Sequence, residues 1–161
     1  MHLGFHDESL MQMAAEIVVA GMLVSGVLSA SLESQGQPAG YVKIVTGTAS
    51  ITRGGVDRPA HPGDAIYQSD GLRTGAYGRL GVTLKDDTRI SLGPNSQIDL
   101  SEFKFSPAEG QLGLVMKVLR GVAAFVSGRI VALRPDAVRI ETPATIVGVR
   151  GTYLVIQAEY P

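Results

Sequence analysis

Apolar and polar residues alternate with a period of two through most of the chain beyond residue 41. Leu80, Val82 and Leu84 interleave with Arg79, Thr83 and Lys85, and Ile90 and Leu92 with Arg89 and Ser91. Successive side chains of an extended chain point to opposite faces, so this pattern predicts strands with one buried face. Turn-forming clusters separate the runs: Gly54-Gly55, Pro62-Gly63-Asp64, Asp70-Gly71, Asp86-Asp87, Gly93-Pro94-Asn95 and Pro107-Ala108-Glu109-Gly110. Leu112, Leu114, Met116 and Val118 line one face of the longest predicted strand. Gly121 ends it, and Val122, Ala124 and Val126 begin the next. Between Gln97 and Ser106 the apolar set changes parity, from Ile98 and Leu100 to Phe103 and Phe105, which predicts a bulge or bend near Ser101-Glu102. No stretch of this region keeps a helical period. Strands of about four to seven residues at intervals of roughly 8 to 12 predict an all-β domain: a sandwich, a barrel or a short β-solenoid.

The pattern differs from Ile17 to Leu32, where IVVAGMLVSGVLSASL carries no charge over 16 residues. It has no polar face at helical period, and Gly21, Ser25, Gly26, Ser29 and Ser31 are poor helix formers in water, which argues against a buried core helix. A bilayer span needs roughly 20 apolar residues, whereas a signal-peptide core needs about 7 to 15. Ser29-Ala30-Ser31 supplies a small-residue cleavage site, although the residues ahead of the run are acidic where a signal peptide carries basic ones. Residues 1–36 are therefore expected to be an apolar helix serving as signal peptide or uncleaved anchor, and residues 37–161 the β domain.

The 161 residues are 45% hydrophobic and 18% charged, enough apolar material for one core and unlike a disordered chain. The absence of cysteine removes disulfides, thiolate nucleophiles and cysteine-ligated metals. Residues 1–42 contain Asp7, Glu8, Glu16 and Glu33 but no Lys or Arg. All 14 basic residues follow, evenly spread rather than gathered in the stripe that a nucleic acid requires.

Catalytic groups are sparse. His61 is the only histidine of the β domain and sits in turn chemistry. Asp70, Asp86 and Asp87 lack the spacing of a calcium loop and read as hairpin-turn residues. Asp99 and Glu102, or Asp136 and Glu141, are scattered carboxylates with no pattern of a glycosidase pair. Gly75, Gly78, Gly81, Gly148 and Gly151 do not follow the spacing of a phosphate loop, and no serine stands in a Gly-x-Ser-x-Gly elbow. The expectation is a non-enzymatic protein without cofactor, metal or nucleic-acid partner.

Several motifs, in order, resemble the FecR-type domain, the extracytoplasmic module of iron-dicitrate sensor and regulator proteins. They are Gly40-Tyr41-Val42 with Gly47 to Arg53, Pro62-Gly63-Asp64-Ala65-Ile66, and Asp70-Gly71-Leu72-Arg73-Thr74-Gly75. Arg79 to Leu84 with Asp87 to Ser96 is similar to the family's central hairpin, where a glycine usually replaces Asp87 or Thr88. Thr142-Pro143-Ala144-Thr145-Ile146-Val147-Gly148-Val149-Arg150-Gly151-Thr152 resembles its closing signature. In that segment Pro143 lacks an N–H and should interrupt pairing, while the glycines around Val149-Arg150 allow a reversal before a strand from Tyr153 to Ala158.

The resemblance implies an extracytoplasmic all-β interaction domain, β-solenoid-like or two-layered, without enzymatic activity. It marks Thr142, Pro143, Gly148, Arg150, Gly151 and Thr152 as signature residues with a structural role. Arg150 either ties the motif to its own domain or meets a partner through its planar fork. Full regulators resemble a membrane-spanning relay with a cytoplasmic anti-sigma segment and a further periplasmic domain. With 16 residues ahead of the apolar run and an end at Pro161, a stand-alone module is expected. Its partner would be a protein or other envelope component, in cell-surface signalling, or alternatively a wall polymer or glycan. The membrane is engaged at least during export, and the protein should appear in the periplasmic or inner-membrane fraction of fractionated cells. Full-length protein in the cytoplasmic fraction would contradict export.

Overall fold

The computed structural model describes residues 36–159, so the leader expected over residues 17–32 lies outside the described residues. Twelve strands form one sheet. They are β1 (Gly40–Thr46), β2 (Ala49–Arg53), β3 (Val56–Pro59), β4 (Ala65–Ile66), β5 (Gly71–Thr74) and β6 (Arg79–Leu84), then β7 (Arg89–Leu92), β8 (Gln97–Ser106), β9 (Gln111–Val126), β10 (Val138–Glu141), β11 (Ile146–Gly148) and β12 (Tyr153–Ala158). The all-β class follows the period-two pattern: Leu80, Val82 and Leu84 of β6 are buried, as are Ile90 and Leu92 of β7. The parity change in β8 is a bulge, with the register to β9 shifting between Leu100 and Glu102 as expected. A five-residue helix, α1 (Arg129–Leu133), was not foreseen; it spans little more than one turn and leaves no helical period to read, yet it buries Ile130 and Val131.

The sheet is organised by β9. Its first part, Gln111 to Arg120, pairs antiparallel with β8, and Leu114 to Lys117 pair in parallel with β10. Its last part, Gly121 to Val126, pairs with β12 on one side, and Ala123 to Val126 pair with β7 on the other. One wing therefore runs β3-β2-β5-β8-β9 and the other β9-β7-β6-β1-β4. Ile51, Leu72, Ile98 and Met116 from the first wing and Val42, Leu80, Ile90 and Phe125 from the second are buried in the same hydrophobic core. The expected solenoid-like or two-layer arrangement gives way to a single curled, half-barrel-like sheet, because one strand belongs to both wings.

Gly121 does not end the strand; it bends it. Its φ is +82°, a left-handed value that glycine adopts without steric penalty. Just before it, the register with β8 slips between Gln97 and Ile98, leaving an extra residue in β9 between Val118 and Arg120. The phase of burial changes there. Leu114, Met116 and Val118 face the core before the bend, and Ala123 and Phe125 after it, so Val122, Ala124 and Val126 lie on the other face. A one-residue slip in a strand exchanges its faces.

Buried Ser96 locks the bend. Its hydroxyl accepts from Val122 N–H at 2.9 Å, and Ser96 N–H donates to Thr74 Oγ1, also at 2.9 Å. Thr74 Oγ1 in turn donates to Gly93 O at 2.6 Å. A Cβ on residue 121 would lie 2.5 Å from Ser96 Cα, a backbone atom that cannot swing aside. Gly121→Ala is expected to combine φ strain with overpacking and destabilise residues 37–161 by about 2–4 kcal/mol in urea unfolding. An unchanged midpoint would show that the bend tolerates a side chain.

Candidate functional site

The closing segment is assembled from the end of β9 outward. Ser127 N–H donates to Thr152 O at 3.0 Å and Ser127 Oγ to Gly151 O at 2.9 Å, which continues the β9–β12 ladder past the strand ends. Ahead of it, Thr142 closes the β10–β11 turn. Its N–H donates to Thr145 O at 2.8 Å, and its Oγ1 accepts from Thr145 N–H at 3.1 Å and Ala144 N–H at 3.3 Å. Pro143 is exposed at the tip of that turn. Gly148 ends β11 opposite Arg139, and β12 begins at Tyr153 and ends at Ala158, the bounds expected from the sequence. Between these strands Gly151 has φ +104°, so the reversal there needs glycine's backbone freedom.

Helix α1 is held beside this segment by Asp86. That carboxylate, fully buried, accepts from Thr88 Oγ1 at 2.7 Å, Thr88 N–H at 3.2 Å and Ile130 N–H at 3.3 Å, while Asp86 O accepts from Arg129 N–H at 2.7 Å. The first N–H groups of a helix have no partner within it, and here a β-hairpin turn supplies acceptors. Asp86 thus does sit in the expected hairpin turn, but its carboxylate faces inward. The neighbouring Asp87 has φ +69°, a left-handed conformation that glycine adopts most readily.

Asp70 is likewise a turn residue with an inward carboxylate, 1% exposed. It accepts from Arg53 Nε at 2.8 Å and Arg53 Nη2 at 2.6 Å, and from Tyr67 N–H at 2.8 Å. The Arg53 guanidinium lies 4.4 Å from the Tyr67 ring centroid, and its hydrogen bond to Asp70 raises its pKa further above the usual arginine value. These bonds occupy both groups internally. His61 is exposed, 3.7 Å from Asp64, and among the described residues no three His, Asp or Glu side chains form a metal-sized cluster.

Arg150 is different. Of the four arginines between residues 129 and 150, Arg139 pairs with Glu141 at 3.0 Å, Arg134 donates to Gly110 O at 3.4 Å, and Arg129 lies over the Phe105 ring at 4.9 Å. Arg150 is exposed, and among the described residues its guanidinium has no hydrogen-bond or ion-pair partner. It stands between two concavities. One of about 640 Å³ is walled by Val131, Ala132, Pro135 and Thr152, and one of about 400 Å³ by Val138, Ile146 and Val149. Asp136 lines both. Arg150 and Asp136 thus place one charge of each sign beside apolar walls. The sequence marked Arg150 but not its surroundings, because α1 and Ser127 carry no motif.

The curled sheet and its closing segment define an all-β module. A family model described as FecR protein matches residues 70–160, more than half of the chain, and the chain belongs to that family. The family is one of signalling and regulatory modules, and its domains are generally extracytoplasmic. The motifs at residues 40–66 precede the matched range but are paired into the same sheet through β1 with β6 and β2 with β5. No curated protein and no solved structure matches the chain significantly. Among the described residues, no helix is long and apolar enough to cross a membrane.

Two substitutions separate a side chain that supports the fold from one that does not. Asp86→Ala strands buried donors of Thr88 and Ile130 and is expected to lower stability by about 2–3 kcal/mol. Arg150→Ala, at an exposed side chain with no partner among the described residues, is expected to stay within about 0.5 kcal/mol of the parent. Urea unfolding of both variants checks this, and a large loss with Arg150→Ala would make Arg150 a structural tie.

Proposed function

We propose that the chain is a non-enzymatic, exported FecR-type interaction module that binds a protein of the cell envelope, in cell-surface signalling, through the clefts flanking Arg150. The observation that carries this reading is the Arg150 guanidinium on the family's closing signature, which has no partner among the described residues, whereas Arg129, Arg134 and Arg139 are engaged. Thr142, Gly151 and Thr152 shape the backbone around it, Pro143 sits in the turn before its flanking strand and Gly148 ends that strand, and Val131, Ala132 and Pro135 provide apolar contact. The partner would offer a carboxylate, from an Asp or Glu side chain or a chain terminus, beside an apolar residue. Catalysis is not part of this reading, since the buried carboxylates Asp70 and Asp86 are consumed by Arg53, Thr88 and Ile130. No cofactor is invoked.

Affinity capture from envelope extract tests it, with the parent and Arg150→Ala compared and bound proteins identified by mass spectrometry. Wall-polymer sedimentation runs in parallel. An outer-membrane receptor or membrane regulator held by the parent and lost with the variant is expected. Retention by wall polymer alone, or capture indifferent to the substitution, would contradict the reading and favour a structural or glycan-binding envelope protein in the first case.

A further inference from the structure

Four strands of the curled sheet pair with one other strand only: β3, β4, β11 and β12. Unpaired edges invite another strand, and proteins blunt them by shortness, charge or proline. β4 has two residues and β11 three, while β3 carries Asp57, Arg58 and Pro59. β12 has none of these protections: Tyr153-Leu154-Val155-Ile156-Gln157-Ala158 is six residues without a charge or proline.

Two bonds fix which backbone groups of β12 face outward. Ser127 N–H donates to Thr152 O on the same register that pairs Tyr153 with Val126, and Gly93 N–H donates to Val122 O on the far side of β9. In an antiparallel ladder the N–H and C=O of one residue face the same side and alternate along the strand. Leu154, Ile156 and Ala158 therefore turn theirs to β9. Tyr153, Val155 and Gln157 turn theirs to the open edge, and among the described residues these groups have no backbone partner outside the ladder. Tyr153 and Val155 are also 66% and 50% exposed. Val155 continues a cross-strand row of small and apolar residues, Ala124, Ser91, Gly81 and Ile44.

We infer that the protein self-associates through β12, two copies pairing antiparallel about a two-fold axis at Val155. In that register Val155 meets Val155, Tyr153 meets Gln157, and every outward backbone group of each β12 finds a partner in the other. The occupant is a second copy because the edge matches itself. β12 bears no charge to select a foreign strand, and its flanks carry opposite signs, Arg150 before it and Glu159 after it. Antiparallel pairing brings a positive flank beside a negative one at both ends. A two-fold interface also closes, leaving no β12 edge for further growth. The pairing runs through backbone groups and shares only the Arg150 flank with the cleft reading.

The chain has no cysteine, so Val155→Cys places one thiol at the axis. Treating cells that express the full-length variant with a short bis-maleimide is expected to double its apparent mass on a denaturing gel. Val56→Cys, 66% exposed on the charged β3 edge, is expected to stay at monomer mass. Val155→Pro removes only an outward N–H, so the detergent-extracted full-length chain should keep its circular dichroism and lose half its protein mass in light scattering. Monomeric Val155→Cys, a parent of monomer mass, or an adduct with a different protein would overturn the inference.

Discussion

Everything in this fold depends on one bend. β9 can serve both wings only because Gly121 holds a left-handed conformation and Ser96 fills the space where its side chain would be. The hydrogen bonds there form a chain rather than a single pair: Thr74 of β5 to Gly93 after β7, Ser96 before β8 to Thr74, and Val122 of β9 to Ser96. Four segments from both wings are thereby fixed at one buried point. Buried polar groups are costly unless satisfied, so this arrangement tolerates few alternatives to the observed register.

The same economy appears at the other buried polar residues. Asp70, Thr74, Asp86, Thr88 and Ser96 are buried, and all five lie at or beside turns and strand ends rather than mid-strand. Asp70 engages Arg53 from the end of β2, and Asp86 holds the first turn of α1. The turns thus hold distant segments in place, and α1 is fixed where it can wall the Arg150 cleft. The two neighbouring charges differ: the inward Asp86 carboxylate is satisfied, and the outward Arg150 guanidinium has no partner among the described residues.

Much of this was legible in the sequence. Period-two alternation located β6 and β7, the parity change in β8 marked its bulge, and the closing signature placed both Arg150 and β12. What escaped has physical reasons. A glycine inside a strand reads like one that ends it, so β9 appeared as two strands. Alternation specifies which side of a strand is buried but not which strand lies beside it, so the shared-strand sheet could not be chosen over a solenoid or sandwich. Asp70 and Asp86 looked like ordinary turn residues because their inward partners, Arg53 and Ile130, are 17 and 44 positions away.

A sheet whose wings share β9 and one core should open as a single unit. Native-state hydrogen exchange on residues 37–161 measures this directly, by comparing the slowest amides of β6 in one wing with those of β5 and β8 in the other. Equal opening free energies in both wings, falling together in denaturant, are predicted. Two separate values, with one wing persisting after the other has opened, would contradict the dependence of the fold on the bend at Gly121.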